Sequence, residues 1–154
     1  LPAALHNDML RLLEQGGLDG GEGWTVDGHK ISLQNITCDA YVVGGETDHI
    51  TPWDGCYMSL PAFGGRSEFV HSQAGHIQSL INPPGNPKSR YFTNDGTHRT
   101  PTEFKATAKS HSGSWWSHWN HWLVERAGKQ VPAPSAPGSK SYPPVSEAPG
   151  TYVL

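Results

Sequence analysis

The chain has 154 residues, the size of one domain and long enough to bury a core. Hydrophobic residues make up only 35%, while 18 glycines and 13 prolines supply many turn formers, so much of the chain is loop. A formal net charge of -3, with no block of lysine and arginine, argues against a nucleic-acid partner or an anionic membrane surface.

Leu1, Leu5, Met9, Leu12 and Leu13 fall on one helical face, and Gly16-Gly17 closes that helix. Asp8, Arg11 and Glu14 interrupt the stretch, so it is not a signal peptide. Without a methionine and already inside a helical pattern, Leu1 opens the chain as a piece cut from a longer polypeptide would. No apolar run approaches the ~20 residues of a membrane span. The stretch GGLDGGEG (Gly16 to Gly23) lacks the Lys-Ser/Thr ending and the preceding strand of a phosphate loop, and reads as a connector.

Asp27-Gly28, between the alternating segments of GWTVDGHKISL, predicts a two-residue hairpin. CDAYVVGG (Cys38 to Gly45) is a continuous apolar run that reads as a buried parallel strand. Thr51 is placed to cap a helix with Pro52 at its first position, with Trp53, Tyr57 and Leu60 on one face and Gly64-Gly65 ending it. SEFVHS (Ser67 to Ser72) is the next strand. Strand, loop, helix, strand, loop is the alternation of an α/β sheet.

NPPGNP (Asn82 to Pro87) imposes an irregular loop, and Thr100-Pro101-Thr102-Glu103 starts a short capped helix. GSWWSHWNHWLVERAG (Gly113 to Gly128) predicts a longer helix with Trp115, Trp119, Trp122 and Leu123 clustered on one side. Such a stripe is the packing face of a terminal helix, although an aromatic ligand or a polymer surface would also suit it. From Lys129 to Leu154 there are six prolines and almost no apolar periodicity, so this tail is ordered only where it lies across a neighbouring surface. Two parallel strands and a hairpin cannot close a core alone, so partner strands are expected elsewhere and an exposed sheet edge with them. The chain reads as the end of a larger α/β domain.

Open α/β sheets place their sites at the carboxyl ends of the strands. Asp48, in GGETDHITPW, follows the first strand, and His76, in SQAGHIQS, follows the second. An acid that orients an imidazole, which in turn takes a proton from a nucleophile, would be arranged this way. A turn-forming aspartate and an ordinary loop histidine would share the spacing. No serine or cysteine has glycine two residues away on both sides, so the chain has no G-x-S-x-G or G-x-C-x-G elbow. Cys38 and Cys56 show neither CxxC spacing nor disulfide density, and read as reduced, small buried hydrophobes of a cytosolic protein. His111, His118 and His121 stand among tryptophans with no cysteine or carboxylate cluster, so no metal site is expected there.

DHITPW (Asp48 to Trp53), GHIQSLINPPGNPK (Gly75 to Lys88), GSWW (Gly113 to Trp116) and APGTYV (Ala148 to Val153) together resemble, in order and spacing, the C-terminal part of the polyhydroxyalkanoate synthases. LPAALHNDML at the start resembles the segment returning from that family's cap to its core. The resemblance implies the last parallel strands and helices of an α/β-hydrolase fold. On it, residues 1–128 are the C-terminal section of the catalytic domain, with 1–15 as the return helix, and 129–154 are an extended proline-rich tail. It also implies a cysteine-dependent acyltransferase that polymerises (R)-3-hydroxyacyl-CoA into polyester and releases coenzyme A.

Asp48 matches the family's catalytic aspartate, His76 its catalytic histidine, and His49 a supporting histidine. The nucleophilic cysteine is expected upstream, so none is expected in this chain, which alone should be inactive. The implied partners are acyl-CoA, the growing polyester, the missing N-terminal part and a second copy in a homodimer. The implied location is the cytoplasm, at the surface of polyester granules. No cofactor or metal is expected beyond the thioester substrate. NPPGNPK leans toward the medium-chain synthases. Whether Asp48 orients His76 or itself activates the substrate hydroxyl stays open. So do two other readings: a non-enzymatic binding or assembly module using the tryptophans and the tail, and part of a serine-type esterase.

Overall fold

A computed structural model describes residues 1–15, 24–95 and 100–152. The connector at Gly16–Gly23, the helix end at Gly16-Gly17 and the last residue of APGTYV lie outside the described residues. The chain divides into two units, Leu1–Trp122 and Leu123–Leu154.

The first unit begins with helix α1 (Ala3–Gln15), on which Leu5, Met9, Leu10 and Leu13 are exposed. Strands β1 (Trp24–Val26) and β2 (His29–Ile31) form the expected hairpin. Its turn residues Asp27 and Gly28 have φ of 48° and 77°, the left-handed pair that matches the twist of the flanking strands.

The main sheet has four strands in the order β3-β4-β5-β6. These are β3 (Ala40–Gly45), β4 (Ser67–Ser72), β5 (Arg90–Thr93) and β6 (Lys109–Ser112). Strands β3 and β4 are parallel, in register from Ala40 opposite Ser67 to Gly45 opposite Ser72. The two downstream strands are antiparallel additions that supply partners on the β4 side, so this is a mixed α/β sheet. Their sequences, RYFT and KSHS, are short and largely polar, which hides them from an apolar-run criterion. Strand β3 is half-exposed rather than buried along most of its length, with only Gly44 and Gly45 inside. It is an edge strand: among the described residues only β4 pairs with it.

Helix α2 (Trp53–Met58) makes the crossover between β3 and β4. Pro52, not Thr51, occupies its cap, and the helix ends at Met58, ahead of a 3₁₀ turn at Leu60–Ala62. Gly64 and Gly65 come after that turn. A Cβ at either position would fall within 2.2 Å of a backbone oxygen of Gln34 or Cys38, so close chain approach, not helix termination, requires glycine there.

Because side chains alternate across a strand, Phe69 and Val70 seed cores on opposite faces. On one face Phe69, Tyr57 and Phe104 meet with ring centroids 5.1–5.2 Å apart, flanked by Val42, Trp53 and Leu60. On the other, Val70, Tyr91 and Trp115 pack with Tyr41, Val43 and Trp116. Burial of each large ring contributes about 1.5–3 kcal/mol. Helix α3 (Pro101–Thr107) supplies Phe104 and is capped as expected, Thr100 Oγ1 accepting from the Glu103 N–H at 3.2 Å. Helix α4 (Trp115–Val124) is shorter than its sequence suggests. Trp115 is its buried anchor, Trp122 meets the Tyr41 ring edge-on at 5.4 Å, and Trp119 is 39% exposed. Packing thus accounts for part of the stripe. In the second unit, the residues beyond α4 up to 152 form no helix or strand and are almost all exposed.

His71 of β4 lies in the first core, 1% exposed, its ring 4.4 Å from Trp53 and 5.7 Å from Phe92. Burial, assisted by Lys105 and opposed by Glu46, lowers its pKa from 6.5 to about 4. Between these values the unfolded chain binds a proton that the folded one refuses. Stability is therefore lost as pH falls from 6.5 towards 4, by up to about 3 kcal/mol. Denaturant midpoints measured from pH 7 to 4.5 should fall more steeply for the native protein than for His71→Phe.

Candidate active site

Parallel pairing in register brings the carboxyl ends of β3 and β4 to one rim. The loops beyond remain joined, with Glu46 N–H donating to Ser72 O at 2.8 Å and Thr47 N–H to Ala74 O at 3.2 Å. This zipper carries Asp48 and His76 to the same place. His76 Nδ1 lies 2.9 Å from Asp48 Oδ2 and 3.0 Å from Oδ1.

The Asp48 carboxylate is heavily partnered. Its Oδ1 accepts from the N–H groups of Ile50 (2.9 Å) and Thr51 (3.0 Å), and its Oδ2 accepts from the Thr51 hydroxyl (2.8 Å). Thr51 therefore serves the aspartate rather than the helix. Desolvation pushes the Asp48 pKa up, but the bonds from Thr51, His76 and Ile50 outweigh it and hold the group well below the usual carboxylate range. An ionised carboxylate only accepts, so the proton of the shared bond belongs to His76 Nδ1. Nε2 is then the basic nitrogen, on a side chain that is 40% exposed where that of Asp48 is 5% exposed.

Two glycines permit the approach. A Cβ on Gly44 would meet Phe69 Cζ and Trp53 Cβ at 2.9 Å, and one on Gly45 would meet Ser79 at 2.8 Å. The sequence marks them only as the end of an apolar run, and the part played by Thr51 and Ser79 carries no signal of its own.

His49 is exposed beside the pair. Cys38 is exposed too, not a buried hydrophobe; Cys56 is half-buried, with Sγ 3.9 Å from the Thr51 carbonyl oxygen. Burial and then the charge of Asp48 raise the Cys56 thiol pKa, the opposite of an activated nucleophile. The three histidines around the tryptophan-rich helix have protein partners. His111 Nε2 is 2.8 Å from Thr93 Oγ1, His118 bridges the Tyr41 hydroxyl (2.8 Å) and Glu68 (3.4 Å), and His121 Nδ1–H donates to Ser117 O at 2.7 Å.

Fold and rim together define an α/β protein with a hydrogen-bonded Asp–His pair at the carboxyl end of its sheet. Known proteins narrow this further, although no protein-family model matches the chain. Poly(3-hydroxyalkanoate) polymerase 1 of Ectopseudomonas oleovorans is 44% identical over 153 residues, covering 99% of the chain and 27% of that protein. Polymerase 2 of the same organism is 45% identical over 154 residues, 100% of the chain and 28% of the protein. The poly(3-hydroxyalkanoate) polymerase subunit PhaC of Cupriavidus necator is 38% identical over 129 residues, 84% of the chain and 22% of the protein. The chain belongs to the poly(3-hydroxyalkanoate) polymerase family, matching a C-terminal part and spanning about a quarter of the length of these relatives.

Proposed function

We propose that this chain supplies the acid and the base of a cysteine-dependent polyester synthase whose nucleophile lies on polypeptide preceding it. The observation that carries the reading is the Asp48–His76 bond at 2.9 Å, formed between two strand-end loops far apart in sequence. Its sheet is the end of an α/β-hydrolase fold, and the free edge of β3 is where the preceding strand adds. Residues 129–154 are the proline-rich tail.

In the first step the upstream cysteine gives its proton to His76 Nε2, and its thiolate attacks the thioester carbonyl of (R)-3-hydroxyacyl-CoA. The C–S bond to coenzyme A breaks, the imidazolium returns the proton to the departing thiolate, and acyl-cysteine remains. In the second, the hydroxyl of another acyl unit or of the growing chain attacks that acyl group. His76 Nε2 takes the hydroxyl proton, an ester forms, and the cysteine sulfur leaves and is reprotonated by the same imidazolium. Asp48 orients the imidazole. Its four contacts and depressed pKa support that role over direct attack on the hydroxyl proton, since a carboxylate so stabilised is a weak base. His49 supports the pair from outside it. No cofactor is needed beyond the thioester. The enzyme works as a homodimer in the cytoplasm at the granule surface, and no helix among the described residues is long and apolar enough to cross a membrane.

The test is the product. The full-length protein carrying this segment, given (R)-3-hydroxyacyl-CoA, is expected to release coenzyme A and form polyester, and the isolated chain to release none. Free hydroxy acid as the sole product would replace the polymerase reading with a hydrolase.

A further inference from the structure

We propose that Trp115 and Trp116 are positioning residues, whose indole N–H groups hold the loop bearing His76 and so set the imidazole against Asp48. The inference rests on the acid–base reading of that pair. Among the described residues, the His76 ring is held by its bond to Asp48, and the ring is two-fifths exposed, so packing does little to locate it. Its backbone must be fixed instead, yet β4 has already ended at Ser72.

Ser79 provides the fixing. It is 2% exposed; its N–H donates to Gly75 O at 2.8 Å, and its hydroxyl donates to His76 O at 3.2 Å. These bonds close a tight turn around the histidine. Ser79 is gripped from two sides in turn. On one side it lies against Gly45, where even a Cβ would collide with it, and Gly45 leads directly into the Asp48 loop. On the other, Trp115 Nε1–H donates to Ser79 O at 2.7 Å in a buried setting. Trp116 Nε1–H donates to Leu80 O at 2.9 Å, and the Ser114 hydroxyl donates to Asn82 O. Three consecutive residues at the start of α4 thus hold three carbonyls of the histidine loop. The grip sits where a shift of the loop would change the Asp48–His76 distance, and a misplacement of about 1 Å can cost on the order of 10²-fold in rate.

In the full-length enzyme, Trp115→Phe removes the donor and keeps an aromatic ring in the core. Turnover number is expected to fall about tenfold with KM within about twofold, the pattern of a defect in chemistry rather than in binding. Amide hydrogen exchange should quicken over residues 75–82 and stay unchanged in β4. Trp119→Phe, on the same helix but outside the grip, should leave both measurements as they are. If exchange over 75–82 quickens while the turnover number holds, the grip does not position the histidine and the proposal is overturned. Should Trp115→Phe fail to fold, Trp116→Phe, whose indole is less buried, is expected to lose about threefold in turnover number at an unchanged melting temperature; no loss there overturns the proposal equally. Full turnover in His76→Ala is a different result, which removes the acid–base reading itself.

Discussion

His76→Ala in the full-length polymerase is expected to lower coenzyme A release by about 10²–10⁴-fold, the range of general-base assistance by a placed side chain. The loss should fall on turnover number, with KM little changed, because the part proposed for the imidazole is to move protons and not to hold the acyl chain. The fold should survive. The ring is two-fifths exposed, and Asp48 keeps three other donors after it is gone, so neither a core cavity nor an unpaired buried carboxylate results. A variant with an ordinary melting temperature and a collapsed rate is therefore the expected phenotype, read by thiol release and by polymer yield on the same sample. Ordinary turnover would mean that another group takes the proton, and the 2.9 Å bond would then be a structural tie between two loops.

Both halves of this pair were legible in the sequence because of where they stand, at the ends of two runs that the period and composition of the chain mark as strands. SEFVHS coincides with β4 at both ends, and the Asp27-Gly28 hairpin and the Thr100 cap follow directly from local chemistry. What escaped was whatever depends on tertiary pairing. RYFT and KSHS become strands only because β4 offers an edge and His71 and Ser72 find partners in Phe92 and Tyr91. Thr51 was readable as a cap by residue type, yet its hydroxyl is drawn to the stronger acceptor three residues back, the charged Asp48 oxygen. The tryptophans of GSWW are legible as packing from their spacing. That their N–H groups reach carbonyls 36 residues upstream is not, since nothing in a linear pattern encodes which backbone a buried indole will meet.

Asp48→Asn offers the sharper separation of mechanisms. The substituted amide keeps an oxygen for the N–H groups of Ile50 and Thr51 but presents NH₂ where Oδ2 now faces His76 Nδ1. A donor in that position demands an unprotonated Nδ1, so the ring proton moves to Nε2 and the basic nitrogen that the proposed mechanism requires is lost. Turnover should fall on the order of 10³-fold, about 4 kcal/mol of barrier, with the fold intact. If Asp48 acts by orienting the imidazole, both chemical steps need it, and even the first equivalent of coenzyme A should appear slowly. If instead it draws the proton from the incoming hydroxyl, and the imidazole keeps its tautomer without the carboxylate, acylation proceeds at its normal rate. One coenzyme A per active site then appears in a burst, and only elongation stops. Rapid-quench measurement of that first turnover decides between them. A preserved burst would assign Asp48 to the hydroxyl and leave His76 to serve the cysteine alone.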